Sequence, residues 1–267
     1  MPKSGADVRE RVAVAWKEIE AVVRQHRPGL VRALGRPATD RQIDALEGAV
    51  GHVLPPALVQ SLRIHNGVRD VAREARLFRN EKLLSTTEIA RQWRMMESLR
   101  KQGIFGANGL APSQGVKPGH WIPGWIPITD NEGDGYHVDL DPGAGGGAGQ
   151  ILYFWHDGAR AATIVAADYL EWLRSLPAQI REEAAALVRE AGPVPKAVST
   201  ELPLFLFFIS HQKNPSSAAV LRYRPAGRAK AKDLFEVALR DGLLMAEGEV
   251  IRLSERGKRV LVEAELA

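Results

Sequence analysis

Val12, Trp16, Ile19 and Val23 recur three and four residues apart, which predicts an amphipathic helix over residues 7–26. The turn-forming run His26-Arg-Pro-Gly29 closes it. Thr39 followed by Gln42 has capping-box spacing, and Ile43, Leu46 and Val50 then place one apolar stripe on a second helix. Pro55-Pro56 stops that helix and opens another through Leu58, Leu62 and Ile64, closed at Asn66-Gly67 by residues that tolerate left-handed backbone. Ser85 with Glu88 repeats the capping box ahead of Ile89, Trp93, Met96 and Leu99.

The period then changes. Gly103–Gly119 is glycine-rich and aperiodic, as a long surface loop would be. Trp125–Ile128, Tyr136–Leu140, Ile151–Trp155 and Ala162–Val165 are β-prone runs separated by Asp, Asn and Gly turns. Tyr136, Val138 and Leu140 alternate with His137 and Asp139, so this strand is expected to have one buried and one open face, whereas Ile151–Trp155 reads as a central strand. Tyr169, Leu170, Trp172, Leu173 and Leu176 form a helix packed back on the sheet, interrupted at Pro177 and followed by another to Gly192-Pro193. Helices, then an antiparallel meander, then helices, indicate an α+β layer.

Three segments follow from this pattern: residues 1–192 as the main domain, 193–215 as a linker or docking segment, and 216–267 as a small α/β appendage. The apolar cluster Leu204–Ile209 is expected as an added strand or a docking segment, because it cannot face water. In the appendage, Lys230–Arg240 is helical with Leu234, Val237 and Ala238 inward. Leu243–Met245 and Val250–Leu253 flank Gly248 as a hairpin, and Ser254 caps a last helix. Helix, hairpin, helix resembles the latter part of a winged helix, although no helix-turn-helix precedes it clearly in the sequence.

Composition excludes more than it identifies. The chain has no cysteine, which removes disulfides, thiolate nucleophiles and sulfur-ligated metals. The charge-dotted N-terminus lacks a signal-like core, and the longest strongly apolar run, Leu202–Ile209, is far shorter than the ~20 residues of a spanning helix. The expected location is the cytoplasm, with no membrane contact. Net charge is only +4, but its distribution is uneven. From Pro118 to Ala159 there is no Lys or Arg, while six carboxylates occur; from Lys213 to Lys232 six cations occur with no acid.

Several chemistries can be weighed on these residues. The glycine run after Asp141 lacks GxGxxG spacing and is followed by a strand, so it reads as a hairpin connection and no cofactor is expected. The Asp and His residues do not follow a calcium-loop pattern, so no metal is expected. No GxSxG, HExxH or cysteine–histidine pair is present to orient catalysis, so the chain is not expected to be an enzyme. Aromatic rings beside an acidic rim suit a basic protein partner. The candidate partner-binding residues are Trp121, Trp125, Asp130, Asp134, His137, Asp139, Asp141, His156 and Asp157. Arg222, Arg224, Arg228, Lys230 and Lys232 are candidates for contacts to nucleic acid, a partner class ranked below protein. Oligomeric state is left open.

Trp16–Glu20, Thr39–Gly51, Leu54–Gly67, Leu77–Trp93, Gly124–Pro142, Gly149–Gly158 and Tyr169–Leu173 occur in an order that resembles the SMI1/KNR4 family of the SUKH superfamily. The resemblance implies an α+β fold with a mixed, largely antiparallel central sheet and flanking helices, and no catalytic class. It also implies a protein-binding role, either as an immunity-type protein that neutralises a toxin or as a regulatory scaffold. Glu47, Gly51 and Asn66-Gly67 match its turn positions, and Asp134, Asp139, Asp141, His156 and Asp157 match polar positions of its sheet region. The insert Gly143–Gly149 is longer than the family's usual turn, and the tail after Pro193 lies outside the resemblance.

Overall fold

Thr39 Oγ1 accepts the backbone N–H of Gln42 while the Gln42 side chain accepts that of Thr39, and Ser85 with Glu88 repeats the exchange. These two capping boxes open two helices that pack on each other, the later of which also packs on the sheet. The structure is a computed structural model that describes residues 5–69, 77–105, 113–156, 162–190, 196–224, 230–247 and 250–264. Its elements begin with α1 (Gly5–His26), α2 (Pro28–Val31), α3 (Asp40–Val50), α4 (Pro56–Leu62), β1 (Lys82–Leu83) and α5 (Thr86–Lys101). The strands β2 (Trp125–Pro127), β3 (Thr129–Asp130), β4 (Gly135–Asp139), β5 (Gln150–Phe154) and β6 (Thr163–Ala166) follow. Then come α6 (Tyr169–Glu190), α7 (Lys196–Ser210), α8 (Ser217–Val220), α9 (Ala231–Arg240), β7 (Leu244–Glu247), β8 (Val250–Leu253) and α10 (Glu255–Glu263).

The fold is α+β. The main sheet has the order β2-β4-β5-β6, a short β1-β3 pair stands apart from it, and every ladder among the described residues is antiparallel. The chain divides into two units, one of Met1–Ala21 with Ala33–Gln179 and the other of Val22–Arg32 with Ile180–Ala267. The division falls two residues past Pro177. Helix α6 nevertheless runs unbroken through this proline, against the expected interruption. Burial of Leu173, Leu176 and Ile180 to full exclusion of water offsets the roughly 3 kcal/mol that an interior proline costs.

In the first unit the core joins helices and sheet. Trp16 Nε1 on α1 and the Tyr169 hydroxyl on α6 both donate to Ser61 Oγ on α4, at 2.8 and 2.9 Å. The motif residues near α3 and α4 have structural work: Glu47 Oε1 accepts the N–H of Leu54 at 2.8 Å, and Asn66 Oδ1 accepts that of Thr86 at 2.7 Å. Gly67, at φ +72°, lies where a Cβ would fall 2.3 Å from the Ser85 nitrogen, so only glycine brings these two turns together.

Strand β4 departs from its expected open face. All five of its residues are buried, because it lies between β2 and β5 and both of its faces are covered. Tyr136 packs on Phe78 and Trp172 on one side, while His137 packs on Trp121 and Phe154 on the other. The glycine-rich connection from β4 to β5 is held against the segment at Gly115–Lys117. The Gly143 N–H donates to the Gly115 carbonyl, and a Cβ on Gly146 would lie 2.1 Å from that same oxygen. Glycine is needed here for close backbone approach.

The second unit has its own core. Leu204–Ile209, expected as a strand or docking segment, lies on α7, where Phe205, Leu206 and Ile209 are buried with Leu234, Val237, Ala238, Leu243, Ile251 and Leu261. A helix suits the run better than a strand, because it directs three of its apolar side chains into one core while Leu204 remains exposed. Ser254 Oγ accepts the N–H of Gly257 at the start of α10, as its capping role predicts. Among the described residues no helix is long and apolar enough to cross a membrane.

Candidate partner-binding site

Strand β4 spans roughly 13 Å at its five-residue length, and the acidic residues predicted as one rim fall at its two ends. At one end is the turn from β3 to β4. Asp130 Oδ1 accepts the Gly133 N–H and a Gln92 side-chain N–H, each at 3.2 Å. Asp134 Oδ1 accepts the backbone N–H of His156 and faces its Nδ1, both at 2.8 Å. Glu132 stands exposed at the tip, with φ 55°. Paired hydrogen bonds thus fix two carboxylates around an exposed third, and His156, more than half exposed, closes the cluster.

Beneath this turn lies an acid not expected from the sequence. Glu81 is 1% exposed; Thr129 Oγ1 donates to its Oε2 at 2.6 Å, and the Tyr153 hydroxyl donates to its Oε1 at 3.1 Å. Burial, opposed by these two hydrogen bonds and helped by the nearby charges of Asp130 and Asp134, pushes its carboxyl up to about 7. Its sequence signal is an acid between the apolar pairs Leu77-Phe78 and Leu83-Leu84, set after Arg79-Asn80, whose φ angles of 44° and 62° make the tight turn that aims it inward.

At the other end of β4, Asp139 is fully buried. Its carboxylate accepts Gln150 Nε2 at 2.8 Å and the Asp141 N–H at 3.0 Å, which closes the glycine connection. Burial raises its pKa against those hydrogen bonds. Asp141, partly exposed, pairs with Lys117. This end is a structural clasp with one neutralised surface acid.

The predicted aromatic anchors are placed differently from the expectation. Trp121 and Trp125 are 3% and 1% exposed and pack with Leu152 and Phe154, so they present no area to a partner. Their apolar surface is worth more in the core beneath the sheet than at its rim. His137 is also buried, and burial pushes its pKa down to about 4, leaving a neutral ring in the core. Asp157 lies outside the described residues. The surface set that remains is Asp130, Glu132, Asp134 and His156, with the ring of Trp155 partly exposed after β5 and against Tyr153. Arg222, Arg224, Lys230 and Lys232 are exposed in the second unit, and Arg228 lies outside the described residues. Among the described residues no three His, Asp or Glu side chains converge as metal ligands.

The family model described as "SMI1 / KNR4 family (SUKH-1)" matches residues 37–175. The "Glucan synthesis regulatory protein" of Neurospora crassa is 24% identical over 190 residues, covering 58% of this chain and 36% of that protein. The "Cell wall assembly regulator SMI1" of Saccharomyces cerevisiae is 26% identical over 179 residues, covering 54% of this chain and 35% of the relative. The "Cell wall biosynthesis/cell cycle regulator smi1" of Schizosaccharomyces pombe is 27% identical over 169 residues, covering 58% and 34%. The matched region spans about a third of these relatives' length.

Proposed function

Because the chain belongs to the SMI1/KNR4 family, we propose that its first unit is a non-catalytic protein-binding module that regulates a basic protein partner. The observation that carries this reading is the turn from β3 to β4, where hydrogen bonds hold Asp130 and Asp134 on either side of exposed Glu132. Fixed carboxylates lose little entropy on meeting Lys or Arg, and a local negative field speeds encounter and orients the partner. The absence of Lys and Arg from Pro118 to Ala159 leaves that field undiluted by neighbours in sequence. The relatives named as regulators of cell-wall assembly and glucan synthesis favour regulation as the outcome of binding.

Toxin neutralisation is the finer form of the same reading. A nuclease-like toxin domain is basic, and an acidic surface would meet it by the same physics. The two forms differ in strength and consequence: neutralisation demands a stoichiometric, slowly dissociating complex that abolishes the partner's toxicity, whereas a scaffold releases its partner readily. The experiment is capture of partners from native lysate on the full chain, followed by measurement of the dissociation rate and of growth when the captured protein is expressed alone. Growth arrest relieved by co-expression supports neutralisation. A rapidly exchanging, non-toxic basic partner supports regulation. Capture of no basic protein contradicts both.

A further inference from the structure

The second unit contains more than the hairpin and last helix that the sequence suggested. After α7, the Pro215 carbonyl accepts the N–H of Ile251 at 2.8 Å and Ser216 forms an antiparallel bridge with Val250. Strand β8 therefore has a neighbour on each side, the residues at 215–216 on one and β7 on the other. The resulting order is helix, short strand, helix, helix, two-stranded hairpin, with α8 and α9 as the consecutive helices. That is the winged-helix order, and α8 and the bridge supply the parts that the sequence left without a clear signal.

Topology alone assigns no role; the side chains must do that. Helix α9 buries Leu234, Val237 and Ala238 and turns Lys232, Glu236 and Leu239 outward. Lys230 is its N-cap residue and is exposed, as is Lys232 in the first turn. Arg222 and Arg224, also exposed, follow α8 directly, and exposed Lys213 precedes the bridge strand. The cations thus bracket the connection between the two helices, the part of such a motif that meets a phosphate backbone when the second helix enters a groove. No acid lies between Lys213 and Lys232. Glu236 is the exposed acid of α9, while Asp233 in its first turn is half-buried; the contact of Glu236 with Lys232, at 3.6 Å and between well-exposed side chains, holds that lysine only weakly.

We propose that the second unit docks double-stranded DNA, with α9 in the major groove and Lys213, Arg222, Arg224, Lys230 and Lys232 against phosphates. The proposal is independent of the protein-binding role of the first unit. Glu236 adds no affinity for the backbone; facing base edges, it accepts from a cytosine amino group and so contributes discrimination.

The test uses the full chain and a fluorescent mixed-sequence duplex of about 25 base pairs, with anisotropy followed from about 50 to about 200 mM salt. The logarithm of the binding constant should fall linearly with the logarithm of salt, with a slope near −4 for four to five phosphate contacts at about −0.9 each. Arg222→Glu, Arg224→Glu, Lys230→Glu and Lys232→Glu together should weaken binding by about a hundredfold and flatten that slope. A milder pair, Arg222→Ala with Arg224→Ala, should weaken it by about tenfold and guards against misfolding of the fourfold variant. Arg41→Glu, at an exposed position of α3 in the first unit, should leave binding unchanged. No binding at the lowest salt, binding indifferent to both variants, or a preference for single strands over the duplex would overturn the proposal.

Discussion

Thr129 Oγ1 donates a 2.6 Å hydrogen bond to Glu81 Oε2, and through it the acidic turn of the candidate site rests on a buried acid. With its pKa raised to about 7 from an ordinary value near 4.5, Glu81 keeps a proton in the folded chain that the unfolded chain gives up. The stabilisation from that proton is complete below pH 4.5 and declines as pH rises toward 7, by at most about 1.4 kcal/mol per pH unit. Glu81→Gln removes the titration and preserves shape. The difference in melting temperature, variant minus parent, should become more positive from pH 5 to pH 8; a constant difference would show that Glu81 does not titrate in this window.

His137 has the opposite sign. Its folded pKa of about 4 lies below the ordinary 6.5, so its contribution is complete above pH 6.5 and is lost as pH falls toward 4. His137→Phe keeps an aromatic ring against Trp121 and Phe154 while removing the proton site. Thermal melts across this range should show a shallower acid-side loss in the variant. Glu81 gains where His137 loses, so the two single variants bend the parent's pH curve in opposite directions.

Asp139 and Asp141 are two residues apart but are expected to differ in consequence. Asp139→Ala strips the acceptor from buried Gln150 and from the Asp141 N–H, at a cost of about 1–3 kcal/mol. Asp141→Ala removes a partly exposed pair with Lys117 and should cost under about 1 kcal/mol. Denaturant midpoints for the two variants decide the point, and equal losses would remove the clasp from Asp139.

The glycine connection supplies a paired test of close packing. A Cβ on Gly146 would meet the Gly115 oxygen at 2.1 Å, whereas one on Gly147 meets nothing within 4 Å. Gly146→Ala should lower stability by about 1–3 kcal/mol as backbone shifts to admit the methyl, and Gly147→Ala should be within about 0.5 kcal/mol of the parent. Equal melting temperatures for both variants would show that the connection does not depend on that contact.

Much of the fold could be read locally. Both capping boxes, the paired prolines at the start of α4 and the Ser254 cap are short-range devices whose geometry depends on neighbours in the chain. Strand β4 lacks the open face that its alternation predicts, because alternation reports side-chain character, whereas burial depends on what covers each face. His137 and Asp139 are polar residues satisfied inside the core by Gly135, Gln150 and the Asp141 backbone. Proximity to acids in sequence places Trp121 and Trp125 at a surface, a criterion that the sheet overrides by turning them inward. Glu81 was missed because its partners, Thr129 and Tyr153, lie 48 and 72 positions away. Leu204–Ile209 revealed its apolarity but not its period, since a run of such residues suits a strand and a buried helix equally.

In the proposed function the turn around Glu132 receives a basic protein. The most direct measurement compares capture from native lysate by the full parent chain with capture by Glu132→Lys combined with Asp134→Asn. The asparagine oxygen can still accept the His156 N–H, so the turn keeps its shape while losing its negative field. A basic protein held by the parent should be reduced about tenfold or more on the variant, chiefly through slower association at low salt. Undiminished capture of the same protein by a folded variant would contradict it.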